Sequence, residues 1–216
     1  MCGEVFEMRG LATILFLIAF PLSNAAAQEQ TPADPVTELA NRYIADANAS
    51  EIFMADISPE APRPRVRHQA SGMLCTLSSQ FTAARLRVVE TEAPRGDEVV
   101  CSTSNEWIGQ GIYLRRMASP LTLEQDMAAF QSEVVGSRAD FRVDTSAPAL
   151  TAAAGVEEQT LALGNGRTWS YLRVAHINGW SVRMRISAQQ GAVPLLIPQA
   201  NREWAATVQS LLEHTP

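Results

Sequence analysis

Cys75 and Cys101 are the two thiols that could do chemistry in this chain, either through a nucleophilic sulfur or through a cross-link. A third cysteine, Cys2, precedes an apolar stretch near the start. A nucleophilic Cys75 needs a base to hold its thiolate, and the nearest candidate, His68, lies seven residues earlier. Nothing in the sequence brings that imidazole to the sulfur. Two cysteines in an oxidising compartment pair instead, so the expected bond is Cys75 to Cys101 and Cys75 reads as structural. Closing a loop of that length restricts the unfolded chain by about 3–4 kcal/mol on the chain-entropy account.

The other reactive side chains form no known constellation. His68, His176 and His214 share no metal-ligand spacing, so no metal site is expected. No Gly-x-Ser-x-Gly elbow occurs, and all 17 basic residues are arginine, which excludes Schiff-base and Ser-Lys chemistry. Gly109-Gln110-Gly111 lacks the further glycines and the following helix of a phosphate loop, so no cofactor is expected. Arg183 and Arg185, two residues apart in a run of alternating residues, point the same way on a strand. That pair suits a carboxylate or phosphate. Solvated strand positions, or partners for nearby Asp and Glu, are the competing reading of both arginines.

The chain opens with an export signal. Met8-Arg9-Gly10 precedes an apolar core over residues 11–22, and Ala25-Ala26-Ala27 ends it before Gln28. The core is shorter than the roughly 18 residues a membrane-spanning helix needs, so cleavage between Ala27 and Gln28 is expected, with no stable membrane anchor. Glu4 and Glu7 carry the wrong sign for a signal's leading segment, which places the true start at Met8. Residues 1–27 are thus read as the signal, 28–34 as a flexible leader and 35–216 as a single domain, periplasmic or secreted. A net charge of −6 offers no field for polyanions, and nucleic acid is not an expected partner. The missing lysine reflects a GC-rich, bacterial coding bias.

The helices and strands can be placed by pattern. Asp34 and Pro35 punctuate a first helix with Val36, Leu39, Tyr43, Ile44 and Ala47 on one stripe. Residues 58–67 alternate proline with arginine and read as an extended, solvated connector. Strands follow over residues 71–77, 85–90, 98–103 and 108–117, with Pro94-Arg95-Gly96-Asp97 as a turn. Thr122 and Gln125 form a capping box for a helix bearing Leu123, Met127, Phe130 and Val134, which Gly136 ends. A short strand at residues 141–143 and a loop over 146–155 come next.

Between residues 156 and 188 lie three strands joined at Asn165-Gly166 and Asn178-Gly179. Trp180, Val182, Met184 and Ile186 define the core face, shared with Trp169, Tyr171, Ala175 and Ile177. Arg173 falls on that face and is expected to snorkel to an edge. A three-residue loop at Gly164-Asn165-Gly166 would bring Leu161 and Leu163 to the same side. A last helix carries Pro198 in its first turn and Ala200, Trp204, Val208, Leu211 and Leu212 along its stripe. The order of elements is α+β, an antiparallel twisted sheet with helices packed on it.

The segments Arg67-His68-Gln69-Ala70-Ser71-Gly72-Met73-Leu74-Cys75 and Asp97-Glu98-Val99-Val100-Cys101 resemble a stretch of uncharacterised secreted proteins of proteobacteria. That resemblance covers about a sixth of the chain and implies export and a disulfide, with no activity to carry over. The element order resembles the α+β sandwich of PsbP and Mog1 proteins. Two functions stand against each other: a non-catalytic periplasmic binding or accessory domain for a protein or a small anionic ligand, and a small periplasmic hydrolase. A deep cavity gathering His68, Ser71 or the arginines would favour the enzyme.

Overall fold

A left-handed pair of residues at Asn178 (φ 50°) and Gly179 (φ 82°) reverses the chain in the turn that tight hairpins prefer. The computed structural model describes residues 34–57, 63–77 and 83–214. Their helices are α1 (Pro35–Asp46), α2 (Leu123–Ser137) and α3 (Val193–Glu213). Their strands are β1 (Phe53–Ala55), β2 (Arg65–His68), β3 (Leu74–Thr76), β4 (Ala83–Val88), β5 (Glu98–Ser104), β6 (Ile108–Arg116), β7 (Arg142–Val143), β8 (Glu158–Gly164), β9 (Thr168–Ile177) and β10 (Trp180–Gln189). The fold is α+β. A small sheet has the order β1-β2-β3, a large one the order β4-β5-β6-β10-β9-β8-β7, and every pairing is antiparallel.

The turn fixes Trp180 opposite Ile177, Val182 opposite Ala175 and Met184 opposite Arg173. This is the register that the alternation of residues 180–187 predicts, and it puts those side chains in the main core with Trp204, Val208 and Leu211 of α3. The second hairpin differs from expectation. Gly164 pairs with Trp169, and Asn165 N–H meets Thr168 O at 3.3 Å around Gly166-Arg167, so the loop is even-numbered. Leu161 and Leu163 therefore lie on the opposite face, where Leu163, Leu172 and Val174 form a second core with Met127, Phe130 and Val134 of α2. Both faces of the sheet are dry here, so an apolar residue turned away from α3 is still buried.

Arg173 does not snorkel. Its side chain is fully buried, with Nη2 2.6 Å from both Glu158 Oε1 and Thr151 O and Nη1 3.2 Å from Asn201 Oδ1. The guanidinium lies 5.0 Å from the centre of the Trp204 ring, whose indole N–H donates to Glu158 Oε2 at 2.6 Å. Burial lowers the Arg173 pKa, and Glu158 opposes that shift. A charge that cannot reach water is kept by a partner that cannot reach water either.

Several local expectations are corrected by packing. Residues 58–62 lie outside the described residues, but Arg65 and Arg67 are no solvated connector: they are strand residues of β2, both facing Asp56, at 2.6 and 3.7 Å. Ser71 and Gly72 (φ 75°) form the turn before β3, and the strand itself is confined to residues 74–76. Asp34 precedes α1 without a side-chain cap bond. The Thr122–Gln125 capping box is present, and α2 runs one residue past Gly136 to Ser137. The last helix starts a turn early, at Val193, because Val193 and Leu196 are buried and Pro194 takes the first-turn place, leaving Pro198 inside the helix. Leu212 is exposed; Thr207 and Ser210 are buried instead, since Thr207 Oγ1 donates to Leu74 O (3.2 Å) and Leu74 N–H donates to Ser210 Oγ (2.9 Å). The free edge of β3 is thereby satisfied by helix hydroxyls.

Glu158→Ala leaves the buried Arg173 without its carboxylate. It is expected to lower unfolding free energy by about 3–5 kcal/mol in urea titrations; a loss below about 1 kcal/mol would mean that Arg173 finds water after all.

Candidate functional site

The structure separates the sequence-predicted residues into three places. Cys75 on β3 and Cys101 on β5 stand at disulfide distance, their Cα atoms 6.3 Å apart, so the bond links the small sheet to the large one. His68 does not serve Cys75. Its Nδ1 lies 2.8 Å from Ser71 Oγ and its Nε2 3.1 Å from Gly96 O. A carbonyl only accepts, so Nε2 carries the proton and Ser71 donates to Nδ1. Ser71 Oγ also accepts from Met73 N–H at 3.1 Å.

That Ser-His arrangement is buried, the imidazole sitting edge-on between Phe53 (5.2 Å) and Trp180 (5.4 Å). A cleft of about 320 Å³ is lined by His68 but not by Ser71. Burial pulls the His68 pKa from 6.5 down to about 4, against the opposing effects of the Gly96 carbonyl and Asp97. A base so weakened accepts a serine proton poorly at neutral pH. Its role is to tie the β4–β5 turn to the β2–β3 turn.

The second place is under α2. Asp126, fully buried, receives Ser181 Oγ–H (2.5 Å), His176 Nε2 (2.9 Å) and Arg183 Nε (2.9 Å), and Arg183 Nη1 reaches Glu133 at 3.0 Å. Burial raises the Asp126 pKa, but the bonds from Ser181, His176 and Arg183 outweigh it and the net shift is downward. Serine and histidine both meet the same carboxylate oxygen, Oδ2, so the histidine does not stand between nucleophile and acid as acyl transfer requires. The sequence placed Arg183 on a polar outer face, whereas α2 covers that stretch of sheet and Arg183 partners acids, the second of the two readings held for it. Neither Asp126 nor Glu133 was singled out as its partner. The available signal was helical spacing: Asp126 lies three residues after Leu123 and four before Phe130, on the buried stripe.

Above this network, a cleft of about 400 Å³ is lined by Asp97, Glu98, Arg115, Arg116, Asp126 and Arg183, among others. Its charges cancel at close range. Arg116 pairs with Asp97 at 2.9 Å and lies over Trp180, and Arg115 stands 3.9 Å from Glu98. The third place holds Arg185, which the structure does not bring together with Arg183 in one site. It is half-buried in a separate hollow of about 280 Å³ on the β5-β6-β10 surface, beside Arg138. His176 is partly exposed and bound to Asp126; His214 follows α3, its carbonyl accepting from Asn178 Nδ2 at 3.3 Å. Ala27 and Gln28 lie outside the described residues. Among the described residues no group of three or more His, Cys, Asp or Glu could hold a metal ion, and no helix is long and apolar enough to cross a membrane.

No protein-family model matches the sequence, and no curated protein matches it. A solved structure with a loose likeness is the solution structure of cyanobacterial PsbP (CyanoP) from Synechocystis sp. PCC 6803, with 15% identity, 72% of this chain and 95% of that chain covered, and a TM-score of 0.45.

His68 predicts an acid-sensitive step in stability. Between pH 6.5 and about 4 the unfolded chain protonates this imidazole and the folded protein does not, so stability falls as pH drops through that window and the loss is complete below it. The expected contribution is about 3 kcal/mol. His68→Gln should remove that part of the slope in denaturant titrations between pH 7 and pH 4; parallel profiles for variant and parent would show that His68 titrates normally.

Proposed function

We propose that the chain is an exported protein, cleaved after Ala27, whose residues 35–216 act outside the cytoplasm as a non-catalytic binding or accessory domain. The observation that carries this reading is where the reactive side chains are committed. Ser71, Ser181, His68, Asp126 and Arg183 are buried and satisfy one another or the backbone; the chain from Ser71 through His68 to the Gly96 carbonyl is enclosed and its imidazole is a weakened base, while Ser181 and His176 meet the same oxygen of Asp126. Such groups hold elements together. The pairing of Cys75 with Cys101 supports an oxidising compartment, because it joins the two sheets with a bond that cytosolic thiol pools would keep reduced.

Expression of the full chain in a Gram-negative host tests both halves. Intact-mass analysis of the periplasmic fraction is expected to show a chain beginning at Gln28, two hydrogens lighter than its reduced form, with no thiol alkylated until reductant is added. A retained leader or two freely alkylated thiols would overturn the compartment. The purified protein is also expected to leave chromogenic esters, phosphomonoesters and peptides intact. Turnover abolished by Ser71→Ala or Ser181→Ala would replace the binding domain with a hydrolase.

A further inference from the structure

The sheet face that carries α2 is only partly covered by it. The helix packs on β8 and β9 and pairs with Arg183 of β10. Farther out, the register sets Arg85, Ser102, Gly111 and Arg185 in one row across four strands, and Ala83, Ser104, Gly109 and Ser187 in the next. Small residues at adjacent positions on three strands leave the 280 Å³ hollow, and Arg185 and Arg138 are part of its lining. Gly109 and Gly111 serve here by lacking side chains: a Cβ on Gly111 would come within 3.0 Å of the Tyr113 ring that lies across it.

The charge of this hollow is unbalanced, unlike that of the two interior sites. Arg173 has Glu158, and Arg183 has Asp126 and Glu133. Arg185 is half-buried, its Nε donates to Ser187 Oγ at 3.3 Å, and the charged side chain it shares the hollow with is Arg138. Among the described residues no Asp or Glu lines the hollow, and neither arginine forms an ion pair. Arg138 lies over the Phe141 ring at 5.5 Å and feels Asp140, which stands outside the lining. Burial weakens the hold of Arg185 on its proton, Tyr113 partly offsets this, and Arg138 adds to it. A partly desolvated guanidinium whose neighbours are hydroxyls and another guanidinium has no anionic partner to balance its charge.

Resting on the reading of a binding domain, we propose that this hollow binds a small tetrahedral oxyanion, a phosphate or sulfate group, through Arg185 and Arg138 with hydroxyls of Ser102, Tyr113 and Ser187 around it. The lining offers N–H and O–H donors from several directions and two positive charges. A dianion with oxygens on all sides matches both, whereas a single carboxylate offers one charge and two coplanar oxygens. No phosphate-loop amides are involved.

Isothermal titration of the disulfide-bonded mature protein with inorganic phosphate, and separately with sulfate, tests the site at low ionic strength. Saturable one-to-one binding is expected. Arg185→Gln and Arg138→Gln should each weaken it about tenfold or more, while Arg42→Gln, on the exposed face of α1, should not. Thermal melts keep folding in view: phosphate is expected to raise the midpoint of the parent but not of the folded double variant. No saturable binding by about 10 mM of either anion would overturn the proposal, as would binding undiminished in the double variant. Retention on anionic vesicles that depends on Arg85 and Arg87 but not on Arg185 would overturn it in favour of an extended surface. Failure of these titrations leaves export and the hydrolysis assays untouched, and phosphomonoester turnover lost in Arg185→Gln would sink the non-catalytic reading while keeping the anion.

Discussion

The two-residue reversal at Asn178-Gly179 decides which environment each neighbouring side chain enters. With Trp180 set opposite Ile177, even-numbered residues of β10 face α3 and odd-numbered residues face α2. A slip of one residue would carry Met184 and Ile186 to the α2 side and turn Arg183 and Arg185 into the main core. The cost would be more than lost apolar burial, since Asp126 would lose its guanidinium beneath α2. Polar partners on one face and apolar packing on the other thus enforce the same register from both sides.

That register also explains how a three-stranded sheet too small to stand alone is held. Strand β3 meets the large sheet through Cys75 and Cys101, and its outer edge meets α3 through the hydroxyls of Thr207 and Ser210. His68, at the end of β2, binds the Gly96 carbonyl and packs against Trp180, the first residue after the hairpin turn. A covalent link, two helix hydroxyls and one neutral imidazole therefore converge on the β2–β3 hairpin. The His68 pKa is low because burial at this junction penalises the charged imidazole.

The elements that the sequence made legible are those whose signal is local. The Thr122–Gln125 capping box and the alternation of residues 180–187 need no knowledge of the rest of the chain, and both stand in the structure. The side of the sheet taken by Leu161 and Leu163 was not legible, because alternation identifies a buried face only when the other face is wet. Here α2 dries the second face, so Leu163 is buried and Leu161 partly buried on the side the pattern assigned to water. Asp126 was hidden for a related reason. An acid in the first turn of a helix has a sufficient local cause in the helix dipole, and only the partners on β9 and β10 reveal that it is an interior hub.

Three arginines on adjacent strands show how depth, more than residue type, sets chemistry in this fold. Arg173 is wholly enclosed, with a carboxylate, a carbonyl and an amide around it; Arg183, at the border of α2, has one buried acid and one exposed acid. Arg185 lies two residues beyond, where Arg138 caps the helix and the cover stops. Arg173 and Arg183 direct their guanidinium donors to internal acceptors that include a carboxylate, whereas Arg185 donates through Nε to Ser187 Oγ. A planar cation keeps its charge under burial that would neutralise a lysine, so Arg185 does not escape its want of an anionic partner by losing a proton. The end of α2 is therefore what divides Arg183, tied to the buried Asp126, from Arg185, which we propose meets an anion.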